Sequence, residues 1–435
     1  MKRLLCTLAS IAILAPLMRL VAEENTSTNP VEELQQLRLR LDALEIATTA
    51  NAVAPAATMG RAGSSYMNMS FDVLANAGWS STPDVESLQP GGHDPSQRGF
   101  SLRNAEIALD GAVDPYFKGF ANIVLMTDAD EETGIELEEA YALSSGLPGG
   151  MQVKAGRFFV EFGRQNNQHP HSWAFVDEAL VLNRMFGEDG LRQNGVRLSW
   201  LAPIEHYTEF TLGVFNGQGS DAFSFRYAGE PGDDGVDRLY GRATTDRNLS
   251  GAGDFLFVPR LASSFELTDS QTLVVGASAA LGPNDTSDDT RTVVYGVDSF
   301  WKWKPANAGG GWPFVTWQTE VIGRNFEAGA DATAGLPAET LHDWGAYSQV
   351  QWGFAYRWAA GLRGEYVTGD KSVSEEANAE RPTDERVSPN ITFYPSEFSK
   401  LRLQYNHMWR EDAEDGDALW LQLEFMLGAH AAHKF

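Results

Sequence analysis

The C-terminal segment decides the fold, and it reads Leu419-Trp420-Leu421-Gln422-Leu423-Glu424-Phe425-Met426-Leu427-Gly428, followed by Ala429-His430-Ala431-Ala432-His433-Lys434-Phe435. Apolar side chains occupy every second position from Leu419 to Leu427, and the same phase reaches the terminal Phe435. A two-residue period places these side chains on one face of a β-strand. The opposite face carries Gln422 and Glu424, so it is polar where a packed core would be apolar. A strand with an apolar outside, a polar inside and a terminal aromatic residue is typical of a lipid-facing β-barrel.

The composition narrows the class of protein. The chain has 435 residues, a net charge of −26 and a mean hydropathy of −0.28. This length accommodates two average globular domains or one large barrel. Nucleic acid is excluded as a partner, because its binding needs clustered Lys and Arg. The chain is too polar for a helical membrane protein, and its one sustained apolar run, residues 4–18, is shorter than the roughly 20 residues that a transmembrane helix needs.

The N-terminal residues predict export. A basic start, an apolar stretch and small residues near Ala22 indicate a secretory signal peptide over residues 1–22. Cys6 is the only cysteine of the chain and lies inside this segment. We therefore expect no disulfide, cysteine nucleophile or cysteine-ligated zinc in the mature protein.

Residues 23–64 predict a periplasmic helix and a linker. Leu34, Leu37, Leu41 and Leu44 follow alternating steps of three and four residues, which indicates either a single amphipathic helix or a short coiled coil that supports a homo-oligomer. Residues 47–64 are rich in Ala, Thr and Gly and read as the linker.

From residue 65 to residue 435 the pattern predicts an all-β domain, an antiparallel transmembrane β-barrel of about 16 strands. Short and long connections alternate along it, as periplasmic turns and external loops would, with the long predicted turn between Pro305 and Pro313 as the exception. A water-soluble β-sandwich is the alternative, although its inner face would be apolar. The predicted strands cover residues 66–76, 100–112, 116–127, 135–144, 151–163, 192–202, 207–216, 256–267, 271–281, 292–303, 314–326, 342–354, 358–368, 386–394, 400–410 and 417–435.

Charged and amide side chains alternate with the apolar positions and are expected to line the lumen. An Arg or Lys that faces lipid at mid-depth costs about 2–4 kcal/mol, so the charges indicate which face is inward. Arg103 is out of phase with Glu106 and Asp110 and requires a β-bulge or an interfacial position. The predicted pore-lining residues are Arg157, Glu161, Arg197, Glu320, Arg324, Arg363, Glu365, Arg402, Gln404, Gln422 and Glu424, while Phe158, Val160 and Phe162 are predicted to face outward.

The connection over residues 164–191 is the candidate constriction, because a long external loop can fold inward and narrow a barrel. It combines aromatic residues with polar ones, and its predicted constriction residues are Arg164, Asn166, Asn167, His169, His171, Asp177 and Arg184. His169, His171 and Asp177 are also candidate ligands of zinc or another divalent cation, since imidazole and carboxylate suit such ions. The simpler interpretation of the His-Pro-His triplet is loop packing.

No segment carries a Ser-His-Asp arrangement, a P-loop or a dinucleotide fingerprint in the required context, so we predict no enzymatic activity. Opposed charges across a water-filled lumen would favour polar solutes. The same charges could instead pair with one another and block the barrel.

Four segments carry a resemblance to a known group: residues 157–171, 301–305, 396–405 and 427–435. In these segments the chain resembles a Gram-negative outer-membrane porin family, similar in organisation to the phosphate-selective porins O and P, with relatives labelled zinc-regulated or TonB-dependent. The resemblance implies a barrel in the bacterial outer membrane, contact with lipid and lipopolysaccharide, and a homotrimer. Phe435 would then be the signal read by the barrel assembly machinery. The acidity of this chain, by contrast, favours cations over phosphate.

The sequence thus predicts a porin for passive diffusion of small hydrophilic solutes or ions. The alternatives are a zinc-linked binding or uptake protein of the outer membrane, and a structural barrel with a blocked lumen.

Overall fold

The computed structural model describes residues 57–62, 65–112, 114–127, 132–231, 235–245 and 247–428. The predicted signal peptide, the leucine repeat, His430, His433 and Phe435 lie outside these residues. Within the predicted linker the structure has a strand, β1 (Ala57–Ala62), which pairs with the strand that follows it.

Sixteen antiparallel strands form the barrel, and this confirms the predicted fold class. Each strand pairs with the next along the chain, and the barrel closes where Gly428 of the last strand pairs with Ser70 of the first. All sixteen predicted strands are present in the structure. They are β2 (Ser65–Ser80), β3 (Gly99–Ala112), β4 (Phe117–Thr127), β5 (Thr133–Ser144), β6 (Met151–Phe159), β7 (Arg192–Leu201), β8 (Thr208–Phe215), β12 (Leu256–Thr268), β13 (Gln271–Pro283), β14 (Arg291–Trp303), β15 (Phe314–Ala328), β16 (Glu339–Ala355), β17 (Trp358–Gly369), β18 (Asp384–Ser396), β19 (Ser399–Arg410) and β20 (Gly416–Gly428), with the short β9 (Glu230–Pro231), β10 (Asp237–Leu239) and β11 (Arg242–Ala243) forming a separate small sheet in the connection after β8.

The outer face of the barrel is apolar, as the alternation predicts. On β20 the side chains of Leu419, Leu421, Leu423 and Phe425 are exposed, whereas Trp420, Gln422 and Glu424 between them are buried. The same pattern holds on the other strands, where exposed apolar residues include Val297, Leu362, Ile391, Leu403 and Tyr405. A continuous apolar exterior on a closed barrel matches a bilayer interior, so the chain is an outer-membrane, multi-pass β-barrel protein.

Two irregularities of register shape the inner wall. Leu74 of β2 pairs with Asn104 and Ala75 pairs with Leu102, so Arg103 is the extra residue of a bulge. This confirms that the phase changes at Arg103. A second shift lies between β4 and β5, where Asn122 pairs with Glu139 and Ile123 pairs with Leu137, leaving Glu138 as the extra residue.

Two connections between strands enter the barrel and contact its inner wall. We call residues 81–98 the first loop and residues 160–191 the inward loop. The inward loop contains helix α1 (Leu180–Phe186), which contacts β15, β16 and β17, and a second short helix, α2 (Glu375–Ala379), lies between β17 and β18. The main apolar cluster lies inside the barrel and joins α1 to wall residues such as Ile322 and Val367. Among the described residues, no helix has both the length and the apolar character needed to cross a bilayer.

Candidate pore constriction

The inward loop is held against β17–β20 through Asp177, which is completely buried. Gln404 Nε2 donates to its Oδ1 at 2.9 Å and Asn406 Nδ2 donates to its Oδ2 at 2.6 Å. Arg363 binds the same carboxylate and also donates to the Asp177 backbone carbonyl at 2.9 Å. Arg386 Nη1 lies 3.4 Å from Oδ2. Burial alone would raise the pKa of Asp177, but Arg386 and Arg363 outweigh it and lower the pKa to about 2.

Glu365 receives the start of helix α1. Its Oε1 accepts the backbone N–H of Leu180 at 2.9 Å, and its carboxylate also binds Arg386 and Arg363. A carboxylate at a helix N-terminus satisfies donors that the helix itself leaves unpaired. The apolar sequence of α1 then packs against the wall, with Leu182 and Phe186 fully buried.

Glu320 of β15 holds the beginning of the inward loop. Its two carboxylate oxygens accept the backbone N–H groups of Arg164 and Gln165 at 3.1 and 2.8 Å. Tyr347 donates its hydroxyl to Oε1 of Glu320 at 2.5 Å. Three donors therefore compensate the burial of one carboxylate.

Two cationic side chains of β19 donate hydrogen bonds to backbone carbonyls of the inward loop. Arg402 Nη2 donates to the Trp173 carbonyl at 2.9 Å, and Lys400 Nζ donates to the His171 carbonyl at 2.5 Å. The neighbouring strand orients both: Gln422 accepts from Arg402 at 3.2 Å, and Glu424 pairs with Lys400 at 2.5 Å.

The two histidines of the inward loop face carboxylates on β2–β5. His169 lies between two glutamates, with Nδ1 at 2.7 Å from Glu138 and Nε2 at 2.9 Å from Glu139. Burial lowers the pKa of His169, but these two carboxylates outweigh it and raise the pKa well above its ordinary value. His171 stacks on His169 with ring centroids 5.5 Å apart.

The structure does not bring Asp177 to these histidines. Asp177 is engaged by two arginines and two amides on β17–β19, so the predicted ligand set of His169, His171 and Asp177 is wrong in its third member. The carboxylates nearest His171 belong to Glu106 of β3, at 3.3 Å, and Asp72 of β2, at 4.0 Å.

The remaining predicted loop residues have separate positions. Asn166 closes the base of the loop, because its side chain donates to the carbonyls of Val160 and Leu191 at 2.7 and 3.0 Å. Arg184 donates to the Pro382 carbonyl at 2.9 Å, and Asn167 is exposed.

Polar side chains on β6–β15 keep partial contact with solvent inside the barrel. The side chain of Lys154 is 13% exposed and lies 3.7 Å from Glu139. Arg260 is 12% exposed and binds Asp298 at 2.6 Å. Arg197 pairs with Glu161, and its side chain also bonds Gln152 at 3.0 Å. Arg324 of β15 is fully buried, and its Nη2 lies 2.7 Å from Oδ2 of Asp343.

The phase predicted for β6 is wrong. Arg157 pairs in register with Asn194, and the neighbours of Asn194 at alternate positions, Val196 and Leu198, are exposed on the outer face. Arg157 therefore lies on the outward side, and Phe158 points inward. After Phe159 the chain leaves the sheet, so Val160 and Phe162 become buried in the interior cluster instead of facing lipid.

Sequence reasoning missed Glu138, Glu139, Arg386 and Lys400. The last two follow the inward phase of β18 and β19, so the alternation contained the signal. Glu138 and Glu139 are consecutive and face the same histidine because of the β4–β5 bulge, which a strict two-residue period does not predict.

An uncharacterized protein from Aquifex aeolicus (strain VF5) is 32% identical over 364 residues, covering 79% of this chain and 73% of that protein. No described family model matches the sequence. Among solved structures, the outer-membrane channel DcaP of Acinetobacter baumannii has a TM-score of 0.57 at 11% identity, covering 84% of this chain and 99% of DcaP. OprB of Pseudomonas putida has a TM-score of 0.50 at 10% identity, covering 90% of this chain and 97% of OprB. The chain thus has a fold that it shares with outer-membrane channels, and it belongs to the same family as the Aquifex aeolicus protein.

Proposed function

We propose that the protein is an outer-membrane porin for passive diffusion of small hydrophilic solutes or ions, with the inward loop as its constriction. The observation that carries this proposal is the combination of an apolar exterior with partly exposed Lys154 and Arg260 on the inner wall. Solvated charges inside a lipid-embedded barrel are the lining that a water-filled path needs. The shared fold with a channel supports the architecture.

Selectivity follows from where the charges stay solvated. The chain is acidic as a whole, at −26, and its external tips carry exposed residues such as Asp412 and Glu414, which attract cations to the mouth. Lys154 and Arg260, in contrast, place cationic groups beside the narrow part of the path. We propose a weak preference for cations set at the mouth and no dedicated phosphate site.

Conductance in planar bilayers tests the proposal. Purified, folded protein should give discrete current steps, and a salt gradient should give a reversal potential of the sign expected for cations. Protein that inserts, shows heat-modifiable mobility and never conducts would instead support a barrel blocked by the interior cluster. The matched control is the same preparation unfolded before reconstitution, which should give no steps.

Assembly is a separate proposal. We propose a homotrimer that is inserted by the barrel assembly machinery through Phe435. Native mass spectrometry in detergent should give three chains per particle. Deleting Phe435 should slow insertion and leave the unit conductance of inserted molecules unchanged.

A further inference from the structure

Three side chains of the inner wall and the inward loop converge at one point: Asp72 of β2, Glu106 of β3 and His171. Their nearest ligand-type atoms all lie within 4.8 Å of one another, and all three residues are buried. The set combines two carboxylates with one imidazole, a donor set that suits a divalent transition metal ion.

Asp72 supplies an independent indication that something binds there. It is only 5% exposed, and neither of its carboxylate oxygens has a hydrogen-bond partner within the part of the chain that the structure describes. A buried carboxylate that lacks donors costs several kcal/mol, so such groups are normally paired or coordinate a metal. A small cavity lined by Ser70, Asp72 and Glu106 adjoins it.

Glu106, Glu138 and His169 form a second group whose ligand-type atoms lie within 4.8 Å of one another, but hydrogen bonds distinguish His169 from the proposed ligands. Nδ1 of His171 is 3.3 Å from Glu106 and 4.0 Å from Asp72. Ligand atoms that surround one ion tetrahedrally at 2.0–2.2 Å are roughly 3.4 Å apart. His169, by contrast, contacts Glu138 and Glu139 at 2.7 and 2.9 Å, which are hydrogen-bond distances and occupy both ring nitrogens.

Neighbouring amides hold the proposed ligands in place. Asn104 Nδ2 donates to one carboxylate oxygen of Glu106, and Asn122 Nδ2 donates to the other at 3.2 Å. Lys400 of β19 is committed to Glu424 and to the His171 carbonyl, both at 2.5 Å. Such outer contacts orient metal ligands and contribute to metal affinity.

We propose that Asp72, Glu106 and His171 bind one divalent transition metal ion, which ties the inward loop to strands β2 and β3. His169 is a neighbouring clamp and is not a ligand. The site does not depend on whether the lumen conducts, because its ligands come from the wall and the loop alone.

Zinc binding to the full chain, refolded in chelator and then transferred to metal-free buffer, tests the site. Wild-type protein should bind one zinc ion per chain, measured by calorimetry and by elemental analysis. Asp72→Asn and His171→Gln should each weaken binding by about tenfold or more. His407→Ala and the double variant His430→Ala/His433→Ala are matched controls and should bind as wild type does. His169→Gln should also retain the ion.

Several results would overturn the assignment: no binding by wild-type protein, equal affinity in His171→Gln, or loss of the ion in His430→Ala/His433→Ala. A loss in His169→Gln equal to that in His171→Gln would show that both rings are ligands, against the proposal. If a ligand variant fails to fold, zinc-edge absorption on the wild-type complex decides, because the proposed site requires one imidazole and oxygen ligands in the first shell.

Discussion

The inward loop meets two walls of the barrel, and the two contacts differ in chemistry. On β17–β20, buried Arg363 and Arg386 surround one loop carboxylate, Asp177, whose oxygens also receive two amide donors. On β2–β5 the signs are reversed, because the wall supplies the carboxylates and the loop supplies His169 and His171.

The two contacts differ in how they respond to solution conditions. Arginine keeps its charge at any accessible pH, and the pKa of Asp177 is lowered to about 2, so these ion pairs stay charged at neutral and mildly acidic pH. Imidazole charge depends on pH, and imidazole and carboxylate can also be shared by a metal ion. The ion pairs of Asp177 are therefore a fixed anchor, whereas the imidazole contacts on β2–β5 and the carboxyl groups of Asp94 and Glu178 beside the anchor respond to solution conditions.

The largest expected effect comes from removing the anchor. Asp177→Ala leaves Arg363 and Arg386 buried with Glu365 as their remaining carboxylate partner, and losing one member of such a buried pair costs about 3–5 kcal/mol. We expect a corresponding loss in the free energy of unfolding, measured by guanidinium titration in lipid vesicles, together with noisier conductance.

Asp412→Ala is the matched control, since this exposed acid should change stability by less than about 0.5 kcal/mol. The double variant Asp177→Ala/Arg363→Met should be less destabilised than the sum of the single changes, because it removes one buried charge with its partner. Strict additivity of the two changes would contradict the anchor.

The second prediction concerns pH at the junction of the first loop with the inward loop. Burial and then the nearby Asp177 raise the pKa of Asp94 from 3.8 to about 7, and burial and then Asp94 raise the pKa of Glu178 well above its ordinary value. Between pH 3.8 and about pH 7, Asp94 keeps a proton in the folded state that it has lost in the unfolded state. The contribution of Asp94 to the free energy of unfolding is therefore fully present below pH 3.8. It is lost as pH rises towards 7, which lowers the free energy of unfolding by about 2–4 kcal/mol.

Hydrogen exchange checks this sign. The Glu178 amide donates to Oδ1 of Asp94 at 2.8 Å, so its protection, corrected for intrinsic exchange, should fall as pH rises from about 4 to about 7. Asp94→Asn should flatten most of this dependence. An unchanged slope in both Asp94→Asn and Glu178→Gln would assign the effect to other groups.

The barrel itself was predictable because lipid imposes one rule on every strand. An outward charge at mid-depth is costly, so the sequence alone predicts which residues of the last strand face lipid and which face inward. The apolar residues at alternate positions from Leu419 to Phe425 face outward, and Gln422 and Glu424 face inward. The rule fails at Phe158, where an external loop turns inside and the interior itself becomes apolar. An apolar residue next to such a loop no longer indicates lipid.

Partners inside the lumen were less predictable. His171 and Asp177 are six positions apart, enough for an extended chain to span about 20 Å. That reach lets one segment contact two different parts of the wall, β2–β5 and β17–β20, so proximity in sequence suggested a shared ligand set that the fold separates. Glu138 and Glu139 were hidden for a different reason, because a bulge rotates one of two adjacent side chains.

The third prediction tests the alterable contact through His169. His169→Ala removes both imidazole hydrogen bonds, but Glu138 keeps Asn122 at 2.6 Å and Glu139 keeps the Phe159 amide at 3.1 Å. We therefore expect a smaller loss than at Asp177, about 1–3 kcal/mol in the same titration. His342→Ala, on an exposed histidine, is the control and should stay within about 0.5 kcal/mol of wild type. A loss as large as that of Asp177→Ala would make the two contacts equivalent and remove the contrast between the walls.

The smallest expected effect is on selectivity, at the partly exposed cationic side chains of the inner wall. Lys154 is 13% exposed, and replacing it with Gln removes one positive charge from the solvated path. A unit charge acting across roughly 10 Å of water changes the energies of a cation and of an anion by about 0.4 kcal/mol each, in opposite directions, so the ratio of cation to anion permeability should rise by about fourfold. The reversal potential in a salt gradient measures this ratio, with Lys371→Gln on an exposed external loop as the control. Because Lys154 also lies near Glu139, the same variant tests whether the charge on β6 and the histidine contacts on β2–β5 act independently. A change in selectivity without a change in the protection of residues 166–173 would show that the solvated wall sets permeation while the carboxylate and arginine walls only hold the loop.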